Sequence, residues 1–368
     1  MKSTSTLKVF IIVGCLGAIV RGGPYNEPGV NGYIGPDWQH ASPGEPNAML
    51  NPIFRGWATE VASYAPAPDV GSSWVDPLKA LGPAAGDQTD IVSLGDLDAS
   101  QIAQGTPPGR ITIVFGDPCN PDDPAHIRDV NGYDFVVFEN SFISIFTNPI
   151  YGFVEGQVFG ELGYVEVSTD GVNFVRFPSV SLTDGPVGPF GTIDINNVYN
   201  LAGKHPNGYG VCTGTPFDLR ELANEPAVRD GTVDINNIVF VRIVDIPGTG
   251  DFNDLAVRYI DPNSFPAWQC YDANHRIYDP WLTMDSSGVD LEAIGVLKPQ
   301  NYSADINLDG IVDCYDLTAF MMAWISSFGD EGWIARCDLA TPKNLIIDLS
   351  DFAILASQWR KVEQWRSN

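Results

Sequence analysis

Positive charge is what this chain has least of. Twenty Lys and Arg stand against 46 Asp and Glu, giving a formal net charge of −26 over 368 residues. A phosphate backbone is gripped by clustered Lys and Arg, so nucleic acid is excluded as a partner. Histidine is also scarce, at four, and no serine sits in a Gly-x-Ser-x-Gly elbow, which argues against a hydrolase triad. His205, in a Gly- and Pro-rich stretch, is the one histidine placed to act as a base, and a hydrogen-bonded loop histidine is its plainer reading. The six cysteines include no Cys-x-x-Cys pair, which argues against zinc. After the first twenty residues no apolar run is long enough to span a bilayer.

Those first residues are different in kind. Lys2 and Lys8 precede an apolar run from Val9 to Val20, followed by Arg21 and a Gly-Gly-Pro stop. This pattern predicts a secretory signal over residues 1–22 and a protein secreted or held at the cell surface. Ile12 to Cys15 resembles a lipobox, which offers lipoprotein anchoring through Cys15 as a second form of export. An oxidising address permits disulfides.

From residue 24 to 298 the pattern is short β-branched and aromatic runs punctuated by 37 Gly and 28 Pro across the whole chain. Ile111–Phe115, Tyr133–Phe138, Tyr164–Ser168, Phe174–Phe177, Ile238–Val244 and Leu291–Leu297 read as strands. Asp170-Gly171 is a strong hairpin signal between two of them. No long helical period interrupts this region. The expected fold is mainly β, an antiparallel jelly-roll-type sandwich. The hairpin around Val165–Phe174 looks like one that recurs in discoidin-like modules. The run Tyr133–Asn140 resembles uncharacterised bacterial secreted or cell-surface proteins, a likeness that brings no chemistry with it.

Several acidic groups in this body are candidates for chemistry. Asp245, Asp251, Asn253 and Asp254 share a Gly-rich loop after a strong strand and suggest a calcium site; Asx turns are the alternative. Asp117, Asp122 and Asp123 form a similar, weaker set. Glu139, Glu155, Glu161 and Glu166 would supply the paired carboxylates of a glycosidase, although Glu166 alternates with Val165 and Val167 and reads as solvated. Two equivalent runs, Thr192–Val198 and Thr232–Ile238, read as matched turns into strands. Trp57, Trp74, Tyr199, Tyr209, Trp268, Tyr271, Tyr278 and Trp281 are aromatic candidates for stacking on a polysaccharide.

The sharpest motif lies near the C-terminal end. Residues 305–316 place Asp305, Asn307, Asp309, Asp313 and Asp316 at loop positions 1, 3, 5, 9 and 12, with Gly310 at position 6. Calcium takes six to eight oxygens and needs a sharp turn around it, so this spacing predicts a calcium loop, with the Ile311 carbonyl as backbone ligand. The stretch Val312–Trp324 then realigns with Ile347–Trp359. Leu317, Phe320, Met321 and Trp324 in one copy, and Phe352, Leu355, Ala356 and Trp359 in the other, recur at helical spacing and predict two helices that bury facing stripes.

This tandem unit, residues 303–362, resembles the type I dockerin of secreted polysaccharide-degrading systems. The resemblance implies calcium as cofactor and a cohesin-like protein as partner, with Cys314-Tyr315 and Leu349-Ser350 at the partner-choosing positions. The second loop departs from the pattern; Asp338, Asn344, Asp348 and Asp351 remain as weaker ligands, with Lys343 opposing a cation. Cys314 and Cys337 are candidates to bridge the two loops. Lys298–Tyr302 would be a short linker to the body. The whole reads as a secreted, calcium-binding protein that docks through its tail and presents a sandwich to a glycan or another surface ligand. A polysaccharide hydrolase bearing the same tail, and a non-catalytic surface-structural protein, are the alternatives.

Overall fold

Each of the six apolar runs forms a strand, displaced by at most two residues from its expected limits. They are Arg110–Val114, Phe135–Glu139, Gly163–Ser168, Val175–Arg176, Phe240–Asp245 and Asp290–Leu297. The computed structural model describes residues 25–250, 276–328, 330 and 332–367. The expected signal with Cys15, and Asp251, Asn253, Asp254, Trp268 and Tyr271, lie outside the described residues.

Two antiparallel sheets organise the body. In the six-stranded sheet Asp290–Leu297 is central, pairing with Phe135–Glu139, Phe54–Trp57 and Val92–Ser93; Thr213–Phe217 and Val30–Asn31 extend its other side. In the five-stranded sheet Phe240–Asp245 lies between Gly163–Ser168 and Arg110–Val114, flanked by Val175–Arg176 and Glu60–Ala65. One core joins them. Phe135, Val137, Ile294 and Val296 come from the first sheet, and Ile111, Ile113, Val165, Val167, Val241 and Ile243 from the second. The Asp170-Gly171 turn closes as expected, with Asp170 Oδ1 accepting from the Val172 and Asn173 amides at 2.9 and 2.8 Å.

Glu166 corrects the expectation of a solvated face. It is buried, and it lies directly across from Arg176 on one neighbouring strand and Arg242 on the other. Arg176 reaches Glu166 Oε1 at 2.7 Å and Arg242 reaches Oε2 at 2.5 Å. The two guanidinium groups also stack over Tyr164 and Phe174, at 4.0 and 3.7 Å from the ring centroids. A strand face that alternates in sequence is therefore roofed by cross-strand arginines rather than by water.

The tail forms two helices, Cys314–Met322 and Leu349–Gln358, each opened by a capping box made of two aspartates, Asp313 with Asp316 and Asp348 with Asp351. Their own core contains Ile306, Val312, Phe320, Cys337, Ile347 and Leu355. Of the expected stripes Phe320 and Leu355 are buried, whereas Met321, Phe352 and Trp359 are exposed. Cys314 is exposed at a helix start while Cys337 faces the core, so both thiols are free and the expected bridge is not made.

Candidate metal centre

Position 12 of the first loop does more than its spacing predicts. Asp316 is fully buried; its Oδ1 accepts from the amides of Ile306 and Asn307, at 2.6 and 3.2 Å, and its Oδ2 from the amide of Asp313 at 2.8 Å. One carboxylate thus ties the loop's first residues to its last. Asp305, also fully buried, accepts from Asp309 N and Gly310 N at 3.1 and 2.9 Å. Asp309 accepts from Ile311 N at 3.0 Å and from Asn307 Nδ2 at 3.1 Å. Gly310 has φ +87°, and a Cβ there would meet the Trp365 ring at 2.6 Å, so this turn needs glycine on both counts.

Burial and the neighbouring Asp316 push the Asp305 carboxyl well above its usual range, and burial raises Asp316 to about 6. Gathering carboxylates in a loop that desolvates them is unfavourable for the protein alone and suits a hard divalent ion. Asp305, Asn307, Asp309 and Asp316 are brought together in this way. Asp313 serves the helix, accepting from Tyr315 N at 2.8 Å, and Ile311 bridges to Val362.

The second loop repeats the clamp without repeating the ligand set. Asp351 Oδ1 accepts from Leu339 N and Ala340 N, both at 2.7 Å, and Oδ2 from Asp348 N at 2.8 Å, the counterparts of the three Asp316 bonds. The symmetry extends further: Val312 exchanges backbone hydrogen bonds with Arg360 and Lys361, and Ile347 exchanges the equivalent pair with Ile325 and Ser326. Each copy completes the other. Asp338 keeps one buried oxygen without a partner, while Asn344 Oδ1 is taken by Ile346 N. Asp338 Oδ1 is thus the buried acceptor left without a partner among the described residues of that loop.

The tail is seated on the body. Trp365 lies 6.4 Å from Trp38, Arg366 stacks over Trp38 and donates to Asp309 Oδ1 at 2.7 Å, and Gln39 Nε2 donates to Asp309 Oδ2 at 3.1 Å. The expected linker is pinned as well. Gln300 is buried, accepting from Tyr133 N at 2.7 Å and donating to Tyr133 O at 3.0 Å, while Glu363 accepts from Asn301 N and Tyr302 N. Between body and tail lies a cavity of about 1100 Å³, lined by residues including Tyr133, Asp218, Arg220, Arg336 and Asp338. Beside it Asp129, Asp134 and Asp218 bring carboxylate oxygens within 4.8 Å of one another, a trio that no motif announced. Arg220 pairs with Asp129 at 3.2 Å, and Asp134 accepts from Val130 N and Leu219 N, so this trio is answered by the protein's own donors.

The remaining candidates separate plainly. His205 is buried between Thr215 and the Glu27 carbonyl, and burial pushes it down to about 3, a neutral structural histidine. Asp117 and Asp123 cap their own loop, Asp123 accepting from Asp117 N and Ala125 N. Asp194 and Asp234 make identical turns, each accepting from the amide two residues on. Glu155 is exposed; Glu139 and Glu161 are buried and do not line the cavity. Asp245 is buried too, and hydrogen-bonds to Val289 N. Among the described aromatic candidates Tyr209 alone is exposed, Trp57 being stacked on Phe54 in the core. The exposed aromatic ground lies elsewhere, at Phe146, Tyr151 and Phe190, with Ile145 and Ile150 beside them. No helix among the described residues is long and apolar enough to cross a membrane. No protein-family model matches the chain, and a search of the curated proteins found no match.

Proposed function

We propose that this is an exported protein whose tail is a calcium-dependent docking unit of dockerin type, carried on a jelly-roll-type body. The observation that supports it most directly is the repeated clamp. Asp316 and Asp351 each hold their loop through three amides at equivalent positions, as two copies of one loop-helix unit would. Calcium, in this reading, sits in the first loop on Asp305, Asn307, Asp309 and Asp316, with the Ile311 carbonyl and Asp313 completing the set. The ion offsets the repulsion of buried carboxylates and so couples metal binding to the order of the loop.

The partner is a cohesin-like protein. Tyr315 and Leu349, at the expected partner-choosing positions, are 50% and 71% exposed, and Met322 and Ile325 extend the apolar surface of the first copy. On the body, the exposed loop tip with Phe146, Tyr151 and Phe190 is the ground for a polysaccharide or another surface ligand. A second reading, a structural surface protein, is favoured by the seating of Trp365 and Arg366 on Trp38. It differs in leaving the outer helix faces without a partner.

Calorimetric titration of calcium into the chelated full-length protein tests the metal, with Asp305→Ala and Asp316→Ala beside it. A site present in the parent and lost in both variants is expected; a titration unchanged by either removes the loop from the reading. Binding to a panel of cohesin modules, weakened by Leu349→Asp, tests the docking. Binding to none of them leaves the structural reading standing.

A further inference from the structure

Six carboxylates are buried together at one end of the two sheets: Asp96, Glu139, Glu161, Asp245, Asp279 and Asp290. Glu139 ends one strand, Asp290 begins its neighbour, Asp245 ends a strand of the other sheet, and Glu161 precedes that strand's partner. Three successive amides gather three of them. Gly288 N donates to Glu161 Oε1 at 3.1 Å, Val289 N to Asp245 Oδ1 at 2.9 Å and Asp290 N to Glu139 Oε1 at 3.4 Å. Gly288 has φ +64°, and a Cβ on it would strike Asp245 Oδ1, so the backbone is shaped to let the carboxylate approach.

What sets this cluster apart from the trio at Asp129 is that four of its members each keep one buried oxygen unanswered. Asp96 Oδ1, Glu139 Oε2, Asp245 Oδ2 and Asp290 Oδ1 are buried with no hydrogen-bond partner, on residues only 7%, 2%, 1% and 3% exposed. Burial raises all four carboxyls; Asp290 adds to it at Glu139, and Asp96 with Asp290 at Asp245, while hydrogen bonds from Thr283 at Asp96 and from Ser286, Ser93 and Asn140 at Asp290 act the other way. An isolated buried carboxylate is among the costliest groups a fold can carry, and several in contact multiply that cost.

We propose that this cluster is a divalent-cation site of the body, separate from the tail, in which Asp96, Glu139, Asp245 and Asp290 offer their four free oxygens to a calcium-class ion. All four donors are hard oxygens, the chemistry of calcium rather than of zinc or copper. The oxygens are spread more widely than the Asp129 trio, so the ion draws them inward. In Glu139 and Asp245 the second oxygen stays anchored to an amide while the free one turns. Bound there, the ion ties the two sheets at the end where Val289 already bridges them.

The test uses the full chain carrying Asp305→Ala and Asp316→Ala, which takes the tail loop out of play. After equilibration in calcium and dialysis, elemental analysis is expected to find one retained equivalent, and Tm to be roughly 5 °C higher in calcium than in chelator. Asp245→Asn and Asp290→Asn each abolish both the equivalent and the shift. In chelator the same two variants raise Tm, because each removes an uncompensated buried charge. A tail-disabled chain that retains no calcium and melts at the same temperature with and without it overturns the proposal. So do Asn variants that lower Tm equally in both conditions, which would mean shared protons hold the carboxylates. Should the tail variant not fold, the parent chain carries the test through loss of one equivalent in Asp290→Asn. Failure of the tail site alone leaves this equivalent in place.

Discussion

Replacing Asp316 or Asp351 by asparagine asks the same question of two loops that share a clamp and differ in ligands. Asparagine keeps one oxygen for the pair of amides at the loop's start, Ile306 and Asn307 in one copy, Leu339 and Ala340 in the other. Its amide nitrogen then faces the N–H of Asp313 or Asp348 and leaves that buried donor unmet. Such a loss costs about 2 kcal/mol, which is a roughly 30-fold fall in hydrogen-exchange protection of the clamped amides. In chelator the two variants should therefore look alike. Calcium at about a hundred times its Kd adds about 2.7 kcal/mol to whatever holds it, and Asp316→Asn alone forfeits that addition. Amide exchange read at Ile306, Asn307, Leu339 and Ala340, with and without calcium, measures both effects. Equal losses in calcium would refute the assignment of the ion to the first loop; unequal losses in chelator would refute the equivalence of the clamps.

Glu166→Gln should cost about 3 kcal/mol, because it removes the buried carboxylate that Arg176 and Arg242 share across the strands; a shift in urea midpoint worth under about 1 kcal/mol would show that the pair of arginines does not depend on it. Trp365→Ala should loosen the tail from the body by about 3 kcal/mol, seen as faster proteolysis between residues 298 and 303, and an unchanged cleavage rate would place the seam elsewhere. Burial, then Asp218, raises Glu221 from the ordinary 4.5 to about 8. Between those values the native state keeps a proton that the unfolded chain has lost, so this group's contribution is fully present below pH 4.5 and disappears as pH rises through 8. The fall is on the order of 5 kcal/mol at most, and Glu221→Gln should flatten that part of the stability profile; a profile unchanged by the substitution would remove Glu221 as its source.

Strands with strong β-branched runs, such as Arg110–Val114 and Phe240–Asp245, were legible because composition and burial agree there. Thr213–Phe217 was not, since Pro216 argues against a ladder. It is accommodated because Val30–Asn31 covers only Thr213 and Gly214, leaving Pro216 with one neighbouring strand instead of two. The calcium spacing from Asp305 to Asp316 is local and survives into the structure as a connected loop. The carboxylates at Asp96, Glu139, Asp245 and Asp290 come from four distant segments, and strand pairing alone brings them together. Glu139 was noticed as a candidate acid and Asp245 as a calcium ligand with the loop that follows it; nothing along the chain says the two belong to one cluster. Glu166 was misread because alternation reports which side a residue faces, not what roofs that side.

Gln300, buried and tied to both polar groups of the Tyr133 backbone, has a mechanical meaning. A flexible tether lets a docked module sweep a volume and trade orientation for reach. A joint bolted at Gln300, and again where Glu363 accepts from Asn301 and Tyr302, removes that swivel. Anything that grips the outer faces of the tail helices would then hold the body at one bearing. It would present the loop tip at Phe146 and Tyr151 along a fixed line, as a bracket does rather than a leash.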